Sequence, residues 1–376
     1  MMARTKKTVR AFRVCPENEK DQFRLDILGI LKTEKKPSIS EISKRAGEPA
    51  DKVAGFINSC VKKDILEVSG DKGETVKFNT SYGRILGVGF NYEECVLTVM
   101  DLKGETLDRE IINVGLLNKI KGKNKEIKEI VSKIDEASRL KDSEFCCAGL
   151  AVSSILSEKN SKASDILADG ISRTFGCDVY ITSDTTAAGY GERDFGSVTG
   201  GEDVLYMYSD VGDGVVLKGE MIFEAREKDN GDTSEYLRSW SQFSIVETAK
   251  NLVGKGVGTD IVNMVDGDID AITLEVVLRA ADNDDELAED LVKRSGLALG
   301  VRIAYLVNMF NTGMVILGGG TEKKEGRFLD FVKESSARFL HKEKKQNLKI
   351  VPGKLGEEAP SIGAASLCRR ELFMEG

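Results

Sequence analysis

The chain has 376 residues, 41% of them hydrophobic and 31% charged, the balance of a soluble globular protein long enough for two or three domains. Five prolines exclude long proline-rich linkers, and a formal charge of −8 excludes an all-over nucleic-acid coat. The average hides a split: residues 1–80 hold 17 Lys/Arg against 12 Asp/Glu, a net +5, which leaves −13 on the other 296 residues. No apolar run of signal-peptide length follows the basic opening, and no stretch approaches 18 apolar residues, so a cytoplasmic protein without membrane contact is expected. The seven cysteines are scattered with no C-x-x-C and read as buried or free thiols. The single histidine, His341, lies far from any Cys pair, which argues against a zinc site and against histidine-based catalysis.

Residues 1–13 carry Arg4, Lys6, Lys7, Arg10 and Arg13 with no acid and read as a disordered basic arm. From Lys20 to Lys32, Phe23, Leu25, Ile27, Leu28, Ile30 and Leu31 suit a buried helix. Ser38 then caps a short helix through Ile39, Ile42 and Ala46, which Gly47 ends. Pro49 opens a third helix with Val53, Phe56, Ile57, Cys60 and Val61 on one face. Residues 65–68 and 75–78 read as the strands of a hairpin.

Three helices and a hairpin are the order of a winged helix-turn-helix, which lays its third helix in the DNA major groove. The outward residues of that helix (Glu48, Asp51, Lys52, Gly55, Asn58, Ser59) include two acids and one base, so phosphate attraction must come from elsewhere. Lys44, Arg45, Lys62, Lys63, Lys72 and the arm are the candidates, with Asn58 suited to an adenine edge and Lys52 to a guanine. A winged helix used for protein contact, or as a structural cap, remains the alternative.

Beyond the hairpin, strands and helices alternate, and two segments echo one another. Residues 84–105 and 203–220 each run strand, turn, strand, and end on Leu102-Lys103-Gly104-Glu105 and Leu217-Lys218-Gly219-Glu220. A duplicated α/β fold explains the repeat. Helices are expected over Leu116–Leu140, Ser164–Phe175 and Asp285–Phe310, the last with a Gly296-x-x-x-Gly300 spacing that marks close helix packing. Val315-Ile316-Leu317 runs into Gly318-Gly319-Gly320, a strand-to-glycine turn of the kind found at phosphate sites.

Three segments are specific. NMFNTGMVILGGG (308–320), LGEEAPSIGAASL (355–367) and SDTTAAGYGE (183–192) resemble, in order and spacing, signatures of the ROK family of repressors, open reading frames and sugar kinases. The resemblance covers about residues 20–370, and a winged helix in front is the layout of its repressor branch. It implies an α/β chain: an N-terminal winged helix-turn-helix followed by a duplicated actin-like/hexokinase-like ATPase fold. The expected domains are 1–80 for DNA, 81–195 for a first α/β lobe, and 196–376 for a second lobe concerned with dimerisation and effector.

The departures from the family pattern weigh as much. The kinases' D-x-G-x-T becomes Gly89-Phe90-Asn91-Tyr92-Glu93, and their second phosphate loop carries Asp210 and Asp213 here, which repel polyphosphate. The zinc motif has no counterpart between Glu220 and Val253, and the Asn-Trp sugar contact is missing between Ser154 and Ile166. Neither a metal nor a cofactor is therefore expected, nor any catalytic residue. The positions left for a ligand are Ser183, Asp184, Gly212, Gly214, Gly318, Gly319 and Gly320. The Asp matching Asp184 is the general base in the kinases and a sugar contact in the repressors, while Asp184 also reads simply as an N-cap.

The expected protein is thus a transcriptional regulator, a repressor in type, that reads a palindromic operator in double-stranded DNA as a homodimer or higher homo-oligomer. Its kinase-like body would be a non-catalytic sensor of a sugar or sugar derivative, or a dimerisation domain. The alternatives are a sugar kinase using ATP with Asp184 as base, and a ligand-free protein-docking scaffold.

Overall fold

The computed structural model describes residues 9–13, 16, 18–34, 36–70, 75–91, 93–196, 203–208, 214–225, 245–319 and 327–375. They fall into two compact units: residues 1–201, 218–222 and 358–376 form one, and residues 202–217 and 223–357 the other. Among the described residues no helix is long and apolar enough to cross a membrane.

In the first unit, α1 (Glu19–Thr33), α2 (Ile39–Ala46) and α3 (Ala50–Lys62) precede an antiparallel pair, β2 (Leu66–Ser69) and β3 (Thr75–Phe78). Local chemistry sets the boundaries. Asn18 caps α1 by accepting from the Asp21 N–H at 3.0 Å. Ser38 and Glu41 close a reciprocal capping box on α2, and Gly47 ends it at φ 65°, a left-handed conformation that glycine adopts without strain. Leu28, Ile42, Val53, Ile57, Leu66 and Val76 are buried, so each element of the winged helix contributes to its core.

The expected disordered arm is partly a strand. Residues Val9–Ala11 form β1, which pairs in parallel with β8 (Asp178–Ser183) in the register Val9↔Val179. Phe12 is buried and stacks on Tyr180 with ring centroids 5.5 Å apart. An open sheet edge and one apolar anchor are sufficient to order these residues.

The sheet they extend has the order β1-β8-β7-β4-β5-β6, with β4 (Ile85–Phe90), β5 (Glu94–Met100), β6 (Thr106–Asn113) and β7 (Cys147–Val152). Its helices are α4 (Asn124–Ala137), α5 (Ser154–Lys159), α6 (Ala163–Phe175) and α7 (Asp184–Phe195). The helix expected from Leu116 begins only at Asn124, because Gly122 sits at φ 75° against the Lys159 carbonyl. The C-terminal helix Ala359–Met374 packs on β4, β7 and α7. It comes close because a Cβ at Gly87 or Gly149 would collide with the backbone of Ser361 or Ala364.

The second sheet has the order β11-β10-β9-β12-β13, from β9 (Val204–Tyr208), β10 (Gly214–Lys218), β11 (Met221–Ala225), β12 (Met314–Gly318) and β13 (Lys349–Pro352). Helices Ile245–Gly254, Leu274–Asp282, Glu286–Phe310 and Arg327–Phe339 share its hydrophobic core. Gly296 and Gly300 face Arg327–Phe339 so closely that a Cβ would meet the Phe328 and Val332 carbonyls.

Without β1, the two sheets share one plan. An antiparallel hairpin (β4–β5, β9–β10) lies beside a parallel run (β4–β7–β8, β9–β12–β13). The repeated Leu-Lys-Gly-Glu spans the β5–β6 turn in the first copy and the end of β10 with the β10–β11 turn in the second, with Gly104 at φ 99° and Gly219 at φ 53°. The echo in sequence is a duplication of structure.

Candidate nucleic-acid interface and the ion cluster behind it

The solvent face of α3 presents Asp51, Lys52, Gly55, Asn58 and Lys62, all exposed, while Val53, Ile57 and Cys60 face inward. Lys44 and Arg45 are exposed near the end of α2, one turn of chain before it. The basic candidates divide by what they already hold. Arg45 pairs with Glu34 at 2.6 Å, and Lys52 pairs with Glu48 at 2.7 Å while lying over the Phe23 ring. Lys44, Asn58 and Lys62 have no hydrogen bond or ion pair within the described residues.

Arg10 is not part of a loose arm: it lies in β1, and its guanidinium pairs with Glu375 at 2.7 Å. Lys63 donates to the Glu375 carbonyl at 2.6 Å. Arg4, Lys6, Lys7 and Lys72 lie outside the described residues.

Behind this face, α1 carries a charge into the protein interior. The Lys32 side chain is only 11% exposed, with Nζ 2.9 Å from Asp194 Oδ2, 3.0 Å from Glu220 Oε1 and 2.7 Å from Tyr190 Oη. Arg193 reaches Asp194 at 3.0 Å and Glu220 at 3.3 Å, and Tyr190 donates to Glu220. The C-terminal helix adds two arginines, each holding one of the duplicated turns. Arg369 donates to the Lys103 carbonyl at 2.9 Å and pairs with Asp194 at 3.0 Å; Arg370 donates to the Glu220 carbonyl at 3.2 Å.

Burial by itself would raise the Asp194 carboxyl, but Lys32, Arg193 and Arg369 hold it well below the usual carboxylate range. Burial likewise opposes Glu220, whose carboxyl Lys32 and Arg193 keep low. Burial pulls the Lys32 ammonium down, and the same two carboxylates resist that pull.

The apolar half of the attachment is aromatic. Phe373, fully buried in the last turn of the C-terminal helix, meets Phe56 of α3 edge-on at 5.2 Å and Phe78 of β3 at 6.3 Å. Arg13 Nε donates to Glu371 at 2.8 Å beside it. None of Lys32, Asp194, Arg369, Arg370 or Phe373 stood out in the sequence. The available signal was a pair of arginines and a glutamate inside an otherwise small and apolar final helix.

The ligand positions expected in the body are spread over both units. Ser183, not Asp184, is the N-cap of α7, its Oγ accepting from the Thr186 N–H at 3.0 Å. Asp184 is buried as the first helical residue, and its Oδ1 accepts from the Thr185 N–H at 2.7 Å. The Asn91 side chain fills the β4–β5 turn, its Oδ1 accepting from the Glu93 and Glu94 N–H groups. In the second unit, Gly214 opens β10 and Gly318 closes β12, where a Cβ would strike the Tyr206 hydroxyl. Gly319 follows at φ 91°. Gly212 and Gly320, like Asp210 and Asp213, lie outside the described residues. Among the described residues no group of three or more His, Cys, Asp or Glu is arranged to hold a metal ion.

Comparison with known proteins agrees with this architecture. A xylose repressor from Caldicellulosiruptor bescii is 20% identical over 336 residues, covering 81% of this chain and 82% of that protein. A solved ROK family transcriptional regulator, described as a homologue of the E. coli MLC protein, superposes with a TM-score of 0.63 at 15% identity, over 94% of this chain and 97% of that one. A ROK family glucokinase from Streptomyces griseus superposes with a TM-score of 0.58 at 20% identity, over 76% of this chain and 99% of that one. The actin-like ATPase fold is common to them. Residues 253–371 match the model of the ROK family.

Proposed function

We propose that this protein is a cytoplasmic, sequence-specific DNA-binding transcriptional regulator, a repressor in type, whose actin-like body has a sensing or dimerising role and no catalytic one. The observation that carries the reading is the solvent face of α3: the exposed Asn58 and Lys62, like the exposed Lys44 of α2, belong to a winged helix and are engaged by nothing else in the described chain. That is the arrangement a major-groove helix requires, with cations for phosphates and an amide for base edges. The likeness to a xylose repressor along four-fifths of the chain supports it. Bound as a homodimer, two such helices about 34 Å apart would read the halves of a palindrome.

A sugar or sugar derivative is the effector class in this reading, with Ser183 and Asp184 at the start of α7 as its contacts in the first unit. The kinase alternative has less support. Gly89 stands where the phosphotransfer site needs a carboxylate, and it abuts the backbone of Ser361 so closely that a side chain there would collide.

Mixing the full chain with a randomised duplex library and sequencing what is retained tests the reading. An enriched palindrome supports it, and retention without sequence preference contradicts it.

A further inference from the structure

Gly55 lies in the middle of the exposed face of α3, one turn after Asp51 and one turn before Asn58. Glycine is the poorest helix former after proline, so in a helix interior it costs stability that close packing or a positive φ can offset. For the helical Gly191, Gly300 and Gly363 the offset is visible, since a Cβ at each would collide with a neighbouring backbone. For Gly55 it is not: a Cβ there would meet no heavy atom within 4 Å. Nor is its backbone among those with positive φ. No packing or conformation within the described chain calls for a glycine at this position.

We propose that Gly55 sets the depth at which α3 enters the major groove and so acts as a specificity-determining position for the DNA reading on which this inference rests. The groove is about 12 Å wide and a helix with its side chains about 10–12 Å across, so clearance is small. Removing the side chain at the centre of the contacting face lets the α3 backbone come against the base edges. Asn58, one turn further on, is then carried within hydrogen-bond reach of an adenine. A methyl group at residue 55 holds the helix off by its own thickness, and a bidentate amide contact does not survive such a displacement. The phosphate contacts of Lys44 and Lys62, made by long flexible side chains, adapt to it.

Two substitutions separate this role from helix propensity. Gly29 of α1 is also a helix-interior glycine with no atom within 4 Å of a Cβ, but it lies outside the α3 face. Gly55→Ala and Gly29→Ala should each raise the Tm by about 2–4 °C. Affinity is then measured on the duplex that the unsubstituted full chain enriches from a randomised library. The expected result is a loss of roughly fivefold or more for Gly55→Ala, with weakened preference at one base pair and an unchanged salt slope, and no loss for Gly29→Ala. Wild-type affinity and preference in Gly55→Ala would overturn the role of Gly55 alone. An equal loss in both variants would also overturn it, by tracing the effect to helix rigidity. If the unsubstituted chain enriches no sequence, the DNA reading falls and this inference falls with it.

Discussion

Lys32 Nζ lies 3.0 Å from Glu220 Oε1, although 188 residues separate them in the chain. One residue belongs to the first helix of the winged helix, the other to the second copy of the Leu-Lys-Gly-Glu turn. With Asp194, Arg193, Arg369 and Arg370 around them, they form a buried ionic joint, and Phe373 forms its apolar counterpart. The winged helix is therefore built onto α7 and the C-terminal helix and is not strung from them on a linker. A buried ion pair adds little net stability over an apolar equivalent, but removing one partner leaves an uncompensated charge in the interior. What such a joint supplies is a defined orientation.

Lys32→Met should accordingly destabilise the first unit by about 3–5 kcal/mol, because Asp194 and Glu220 lose their nearest shared cation. Urea unfolding checks this. A change under about 1 kcal/mol, typical of an exposed pair, would mean that the joint is solvated.

Phe373→Ala removes the ring that meets both Phe56 and Phe78, and should cost about 3–5 kcal/mol in the same measurement. Since α3 and β3 lose a packing partner together, amide exchange should accelerate in the winged helix more than in β4 and β7. Uniform acceleration across the unit would contradict a local joint.

The carboxyls of Asp194 and Glu220 are held below their unfolded values, so the unfolded chain binds more protons than the folded one when acidified. Their contribution is complete above the ordinary carboxylate value of about 4 and is lost as pH falls through the lower folded values. The urea midpoint should therefore change little from pH 7 to about pH 5 and fall steeply below about pH 4. In Asp194→Asn that acid fall should be shallower. An identical slope would assign it to other carboxylates.

On the DNA side, Asn58→Ala should relax preference at one base pair by about 1–3 kcal/mol. Lys62→Ala and Lys44→Ala should instead weaken binding evenly across sequences and lower the salt slope by about 1 each. Selection and sequencing with each variant separates the two patterns.

The winged helix was legible from sequence because its boundaries are local. Ser38 with Glu41, and Gly47 at the end of α2, fix the helix where the chain itself declares it. The duplication was legible because the same four residues stand where β5 passes to β6 and where β10 passes to β11. The joint was not, since Lys32, Asp194, Glu220 and Arg369 come together only through tertiary packing, and a lone lysine at the end of a helix reads as surface. Strand β1 escaped because three residues are too few for a periodicity to show. The cap of α7 is Ser183, one residue before the Asp184 that the sequence also suits to the role: Ser and Asp both cap well, and only the backbone decides between them.

The most direct test of the central claim compares the affinity of the full chain for its enriched duplex with that for a scrambled duplex of the same composition, at two salt concentrations. The account predicts a specific duplex bound at least about a thousandfold more tightly, with both affinities falling as salt rises. Equal affinities for the two duplexes at both salt concentrations would contradict it.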